Sequence, residues 1–342
     1  MPRLRTFVYV SILLGPLFLA SAAPATSSSG VEAALAWLRG QQQVDGGFSN
    51  GFAPGSDIGA TADAVVAIAS AGQSPPGWRT GGTSPLEFLA QHAAEASSPG
   101  LAAKVTLAAI AAGEEPRDFG GLDLTVAVAK AFDPAAESSL YDRALAILAL
   151  AAAQAPIPAE ADSGLTAARL PDGSYAFDAS LVPGSGDSNT TSLVVQALLV
   201  TGHGAETLPS YAYFRATQND DGGWTYQKPS PFGEATDANS TALVVQALLA
   251  GGQDLSEWDD PLRALIALQQ PSGALAFNAG TPGDNLLATI QAIPALAGVD
   301  LTDVPRLPGQ SDAPNTGLIF GAAVILLILV LLTAGVAARA KV

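Results

Sequence analysis

One pattern, written four times, constrains the fold of this chain more than any other feature. Its clearest copy runs Gln218-Asn219-Asp220-Asp221-Gly222-Gly223-Trp224, then Asp237-Ala238-Asn239-Ser240-Thr241, an apolar stretch to Leu249 and a stop at Gly251-Gly252. A second has Asp172-Gly173-Ser174-Tyr175-Ala176-Phe177, then Asp187-Ser188-Asn189-Thr190-Thr191, the run Leu193 to Leu199, and a stop at Gly202. Near the start, Asp45-Gly46-Gly47-Phe48 leads to Asp57 and the run Thr61 to Ala71. Near the end, Ser272-Gly273-Ala274-Leu275-Ala276-Phe277 leads to Asp284-Asn285 and the run Leu286 to Ala297. The stops at Gly202, Gly251 and Gly298 recur at a spacing that marks stacked supersecondary units, none able to bury its apolar face alone.

Helix signals bracket each copy. An Asp at 187, 237 or 284 offers an oxygen to the free N–H groups of a helix start and a negative charge to its dipole, and the later glycine permits a left-handed stop. The helices so bounded are apolar on nearly every side; Leu243 to Ala250 contains only Gln246 as a polar residue. Such helices need burial all round and are predicted to form an inner wall. The helices before them are more amphipathic: Val31 to Gln42 sets Ala34, Leu35 and Leu38 on one side, with Glu32, Arg39 and Gln42 elsewhere. They are predicted to form an outer wall. The pairs are 31–43 with 60–71, 85–94 with 102–112, 122–132 with 140–154, 159–169 with 190–201, 210–218 with 240–250, and 261–270 with 286–297. Units two and three lack the glycine turn and rest on periodicity and spacing. Six hairpins suffice to close a ring, so the expected fold is an all-α (α/α)6 toroid. Glycine pairs at 46–47 and 222–223 permit positive φ and close backbone approach, and Phe48 and Trp224 after them should clasp the neighbouring hairpin.

Both ends carry processing signals. Residues 1–22 combine Arg3 and Arg5, an apolar run from Phe7 to Ala20 and the small-x-small Ala20-Ser21-Ala22, the pattern of a secretory signal peptide. The alternative is a retained membrane helix, although the apolar run is shorter than the roughly 20 residues that span a bilayer. Residues 23–30 read as a linker before a toroid spanning 31–299. A Pro-rich linker at 300–317 precedes Leu318 to Ala338, a stretch without charge that is long enough to span a bilayer. The basic tail 339–342 should stay cytoplasmic, which puts the body at the cell surface. Ala313-Pro314-Asn315-Thr316-Gly317 resembles the LPxTG signal cut by sortases, here between Thr316 and Gly317, with Ala313 replacing its leucine. Sortase transfer and a simple membrane tail anchor are both open.

The net charge is −16. Arg3, Arg5, Arg339 and Lys341 lie in the terminal segments, so the remaining 11 basic residues face 31 acidic ones, a balance of −20. Such a field repels nucleic acid and anionic lipid head groups. The absence of cysteine excludes disulfides and thiolate metal sites, leaving packing of a 49% hydrophobic chain to supply stability.

The succession Tyr213-Phe214, Gln218, Asp221-Gly222-Gly223-Trp224 and Asp237-Ala238-Asn239-Ser240-Thr241-Ala242 resembles the repeat of the prenyltransferase and squalene-cyclase (terpenoid cyclase) superfamily. Trp37-Leu38, Gln43, Asp45-Gly46-Gly47-Phe48 and Asp57 repeat the layout. The resemblance covers 31 to 298 and implies the same α/α toroid, without conferring an activity. Triterpene cyclases of that superfamily use an Asp-x-Asp-Asp-Thr motif to protonate substrate. The matching stretches here, Asp237 to Thr241 and Asp187 to Thr191, carry Asn and Ser or Thr at two carboxylate positions, and neither type delivers a strong acid proton. Protein prenyltransferases hold zinc through Asp, Cys and His, whereas this chain has no cysteine and only His92 and His203. Thioester-containing toroids need Cys and Gln. What remains is a non-catalytic surface branch, similar to the toroids of intrinsic factor and transcobalamin, which pair the ring with a small β domain that has no counterpart after Gly298. The expected function is an exported, membrane- or envelope-anchored, non-enzymatic ligand-binding or interaction module. The alternative is a divergent terpenoid cyclase or prenyltransferase-like enzyme.

In such a ring the inner-helix starts converge on one mouth, which would gather Asp57, Asp187, Asn189, Asp237, Asn239, Asp284 and Asn285. Their amides and carboxylates suit a polar or cationic ligand, small molecule or protein; calcium and cobalamin are candidates, and no resident cofactor, metal or catalytic residue is assigned. Each also serves as a helix cap, and Asn189 and Asn239 stand out because a polar residue recurs at one place. Tyr226, with Tyr175 and Phe277, follows the turns and either rings the opening or packs in the core. A polysaccharide-active enzyme would need a carboxylate pair across the mouth, for which Asp57 with Asp237 is the pairing to test.

Overall fold

The computed structural model describes residues 25–307 apart from 134, 137 and 232. In chain order the helices are α1 (Ala25–Arg39), α2 (Ile58–Ser70), α3 (Pro85–Gln91), α4 (Pro99–Ala111), α5 (Leu124–Ala129) and α6 (Leu140–Ala152). They continue with α7 (Ala161–Ala167), α8 (Ser188–Val200), α9 (Leu208–Thr217), α10 (Ala238–Ala250), α11 (Pro261–Ala267) and α12 (Leu286–Leu296). Even-numbered helices touch in sequence, α2 to α4 and onward to α12, and α12 returns to α2, so the inner wall closes. Odd-numbered helices lie outside, and α1 seals the seam by packing on α12 and α11. Six hairpins form the ring expected from the repeat.

Burial follows the sequence pattern. In α4 every residue from Ala102 to Ala111 except Lys104 is buried, and the many alanines let neighbouring inner helices approach closely. Each inner helix starts on a short polar side chain. Asp57, Ser98, Ser139, Asp187, Asp237 and Asn285 each accept a hydrogen bond from a backbone N–H in the first turn. At α12 the cap is Asn285 rather than the expected Asp284, whose carboxylate instead accepts from the Trp37 indole and the Ser272 hydroxyl.

The linker expected before residue 31 is corrected in part, because α1 already begins at Ala25. Gly30 lies inside the helix, where a Cβ would sit 2.4 Å from Ile266 Cδ1, so its bareness lets α1 lie against α11. The bridging glutamine of the first turn is Gln42, one residue before the expected Gln43; its Nε2 donates to the Gly46 and Trp78 carbonyls. Gln218 does the same for Gly222 and Trp258, tying each turn to the next hairpin. Phe48 and Trp224 are fully buried, each beside a tryptophan of the following hairpin, Trp78 at 6.5 Å and Trp258 at 6.2 Å between ring centres.

After α12 the chain turns across the end of the ring where inner helices finish. Leu301 N–H donates to Gln196 Oε1 at 2.8 Å, Leu307 N–H reaches the Ala111 carbonyl, and Arg306 reaches the Ala152 carbonyl. Among the described residues no helix is long and apolar enough to cross a membrane. The expected signal peptide, Thr316 and Gly317, and the expected span at 318–338 lie outside those residues.

Candidate ligand-binding mouth

The turn chemistry determines what stands at the open end of the ring. A fully buried threonine in the first turn of an inner helix receives the N–H of the residue buried in the preceding turn: Thr191 from Tyr175, Thr241 from Trp224, Thr289 from Leu275. Two residues beyond the buried one, the carbonyl accepts from the first N–H of the previous unit's inner helix. Leu140 donates to Phe177, Ser188 to Tyr226 and Ala238 to Phe277. The side chains of Phe177, Tyr226 and Phe277 themselves face outward, 51%, 46% and 39% exposed over the starts of α6, α8 and α10.

Tyr226 and Phe277 wall an open cleft of about 360 Å³ together with Phe52, Asn189, Asp237 and Asn239. A neighbouring cleft of about 460 Å³, bordered by Trp37, Gln41, Asn50 and Asp284, shares Phe52, Asn285 and Leu287 with it. Asn239 Nδ2 donates to Gln291 Oε1 at 2.6 Å across to α12, and Asn189 Oδ1 is buried without a partner. The mouth therefore gathers Asn189, Asn239, Asn285, Asp237 and Tyr226 in one cleft, with Asp284 in the next. Asp57 and Asp187 line neither. Both Asp57 oxygens are engaged locally, by Ala60 N–H and by Asn50 Nδ2. Tyr175 belongs to the core, fully buried, rather than to the rim.

The two acids beneath the rim are held toward their neutral forms. Burial pushes the Asp187 carboxyl up to about 6, against the hydrogen bond it accepts from the Thr190 N–H. Burial raises Asp237 too, and its oxygens are occupied by the Ser240 N–H and hydroxyl at 2.7 and 2.9 Å. Among the described residues no group of three or more His, Asp or Glu converges as a metal site.

Inside the ring the space differs. The lumen measures about 60 Å³ and is lined by Leu193, Leu243, Ile290, Gln246 and Leu301, with an ion pair between Lys104 and Asp63 at 2.7 Å. Ligand pockets usually occupy about 300–1,000 Å³. Sequence reasoning missed Phe52, Trp37, Gln291 and the lumen pair. An aromatic two residues after a buried turn residue signals Phe177, Tyr226 and Phe277, but in the first unit that place is Asn50, so it does not lead to Phe52.

No family model matches the chain, and no curated protein matches it in sequence. Solved structures share its fold. Type II terpene cyclase MstE from Scytonema, in its apo form, aligns with a TM-score of 0.59 at 15% identity over 82% of this chain and 99% of its own. Haptocorrin in complex with Cbi aligns with a TM-score of 0.54 at 12% identity, over 86% of this chain and 72% of its own. A glycosidase variant aligns with a TM-score of 0.54 at 13% identity, over 82% of this chain and 98% of its own. The chain thus shares the α/α-toroid fold of these structures. Its fold relatives include both enzymes and a binding protein.

Proposed function

We propose that this protein is a non-enzymatic binding module, exported and anchored at the cell surface, whose ligand sits in the mouth formed by the inner-helix starts. The observation that carries this reading is the contrast between the two ends of the ring's interior. The mouth is open and rimmed by Phe52, Tyr226 and Phe277, whereas the lumen, where a polyprenyl chain would have to fold, is a narrow space of about 60 Å³ with Leu301 in its wall. The acid positions point the same way: Asp187 is 1% exposed and Asp237 is consumed by Ser240, so neither presents a proton to a bound olefin. Export and anchoring rest on the terminal segments of the sequence.

Native mass spectrometry of the full chain extracted from membranes tests the reading. The expected result is a bound molecule that is lost when Asn189 and Asn239 are both replaced by alanine, with no turnover of polyprenyl substrates. Conversion of geranylgeranyl compounds to cyclic products would establish the enzyme instead. Intact mass of the C-terminus decides the anchor: termination at Thr316 marks sortase transfer, and an intact Val342 marks a tail anchor.

A further inference from the structure

We propose that the ligand of this mouth is an uncharged glycan lying lengthwise across it, an inference that rests on the mouth-binding reading above. Shape comes first. The two clefts adjoin at Phe52, Asn285 and Leu287, so a chain ligand laid across the mouth can occupy both at once. Phe52 is 88% exposed and stands at the junction, with Trp37 on one side and Phe277 and Tyr226 on the other. Large rings held in water gain free energy when an apolar surface covers them. The C–H faces of pyranose rings offer such a surface at the spacing of successive sugars.

The polar groups select among ligand charges. Carboxamides dominate, with Asn189, Asn239, Gln291, Asn285 and Gln41 lining the clefts. A carboxamide both donates and accepts, as a sugar hydroxyl does. Among the described residues no lysine or arginine lines either cleft, so nothing there calls for an anion. The two lining carboxylates accept from neutral donors, Asp237 from Ser240 and Asp284 from Ser272 and the Trp37 indole at 2.9 Å, so they keep their orientation and repel an anionic chain. The last of these bonds also fixes the Trp37 ring in place before any ligand arrives, which reduces the ordering cost of binding.

The test uses the full chain in detergent against an array of neutral oligosaccharides, with calorimetry on those retained and tetramethylammonium as the cationic comparison. The expected result is binding of neutral glycans that strengthens with chain length, persists in high salt, and weakens by about tenfold or more in Phe52→Ala and in Phe277→Ala. Both side chains are exposed, so unchanged melting temperatures in these variants separate lost contact from lost fold. Retention of tetramethylammonium but no glycan, abolished by the same substitutions, overturns the glycan while sparing the mouth. Glycan binding indifferent to both substitutions overturns the clefts as its site. If no glycan binds and the co-purifying ligand is unaffected by the mouth variants, both readings fall.

Discussion

Lys104 and Asp63 meet at 2.7 Å on neighbouring inner helices, inside the ring, with each side chain about a quarter exposed to the small lumen. Burial pulls the Lys104 ammonium down, but Asp63 and the nearby Tyr141 hydroxyl hold it above its ordinary value. Removing one partner strands the other charge. Lys104→Met and Asp63→Leu should each destabilise by about 3 kcal/mol, and the double variant should recover most of that loss. Urea denaturation of the three variants measures the coupling, and additive losses would show that the pair contributes nothing jointly.

Asp187 should make stability depend on pH. Its carboxyl titrates at about 6 in the folded ring and near 3.8 when the chain is unfolded. The folded state therefore holds a proton that the unfolded state has released. The resulting stabilisation is complete below about pH 4, declines as pH rises through about 6, and amounts to on the order of 3 kcal/mol. Asp187→Asn keeps a good cap and removes the titration, so it should be more stable than the parent at pH 7.5 and similar at pH 4. Asp237 shifts in the same direction, so part of the slope should persist. Equal slopes in parent and variant would exclude Asp187 as the source.

Gly222 adopts φ 91° with the Asp259 carbonyl 2.3 Å from where a Cβ would lie, whereas Gly233, at φ 103°, has open space around it. Gly222→Ala combines backbone strain with a collision against the next hairpin and should cost at least about 3 kcal/mol, while Gly233→Ala carries strain alone, about 1 kcal/mol. Thermal melts of both compare the two costs directly. Similar losses would mean the turn moves freely relative to its neighbour.

Leu301→Ala should widen the lumen. The side chain is only partly buried, so the loss should be modest, about 1–2 kcal/mol, with a rise in binding of apolar dyes as the lumen opens. Dye fluorescence unchanged from the parent would indicate that Leu286 to Leu296 and its neighbours close the lumen unaided.

The ring was legible because its signals are local and repeated. At α2, α8, α10 and α12 the Asp or Asn before the apolar run, the glycine after it and the buried Thr in the first turn act within a short stretch of chain, so spacing locates these inner helices, and periodicity has to place α4 and α6 between them. The mouth was half legible. Asn189, Asn239 and Tyr226 could be placed there once the inner-helix starts were known to converge. Phe52 and Trp37 could not, since their positions depend on a loop of the first unit meeting α12 of the last, across the seam. Gly30 reads either way because a glycine that breaks an isolated helix also permits close helix contact, and sequence does not say which neighbour is present. The pair Lys104 and Asp63 was invisible for a related reason: two charges on apolar helices have partners only after the ring has closed.

The segment 299–307 gives the molecule a front and a back. Because it crosses the finishing ends of α4, α6 and α8, Leu307 stands on the side opposite Phe52, Tyr226 and Phe277. Copies tethered through that side would stand as cups facing away from their support, with their clefts side by side. A long polymer touching several cups at once would then be held by avidity, with a weak single contact multiplied by about 10²–10⁴ through effective concentration alone.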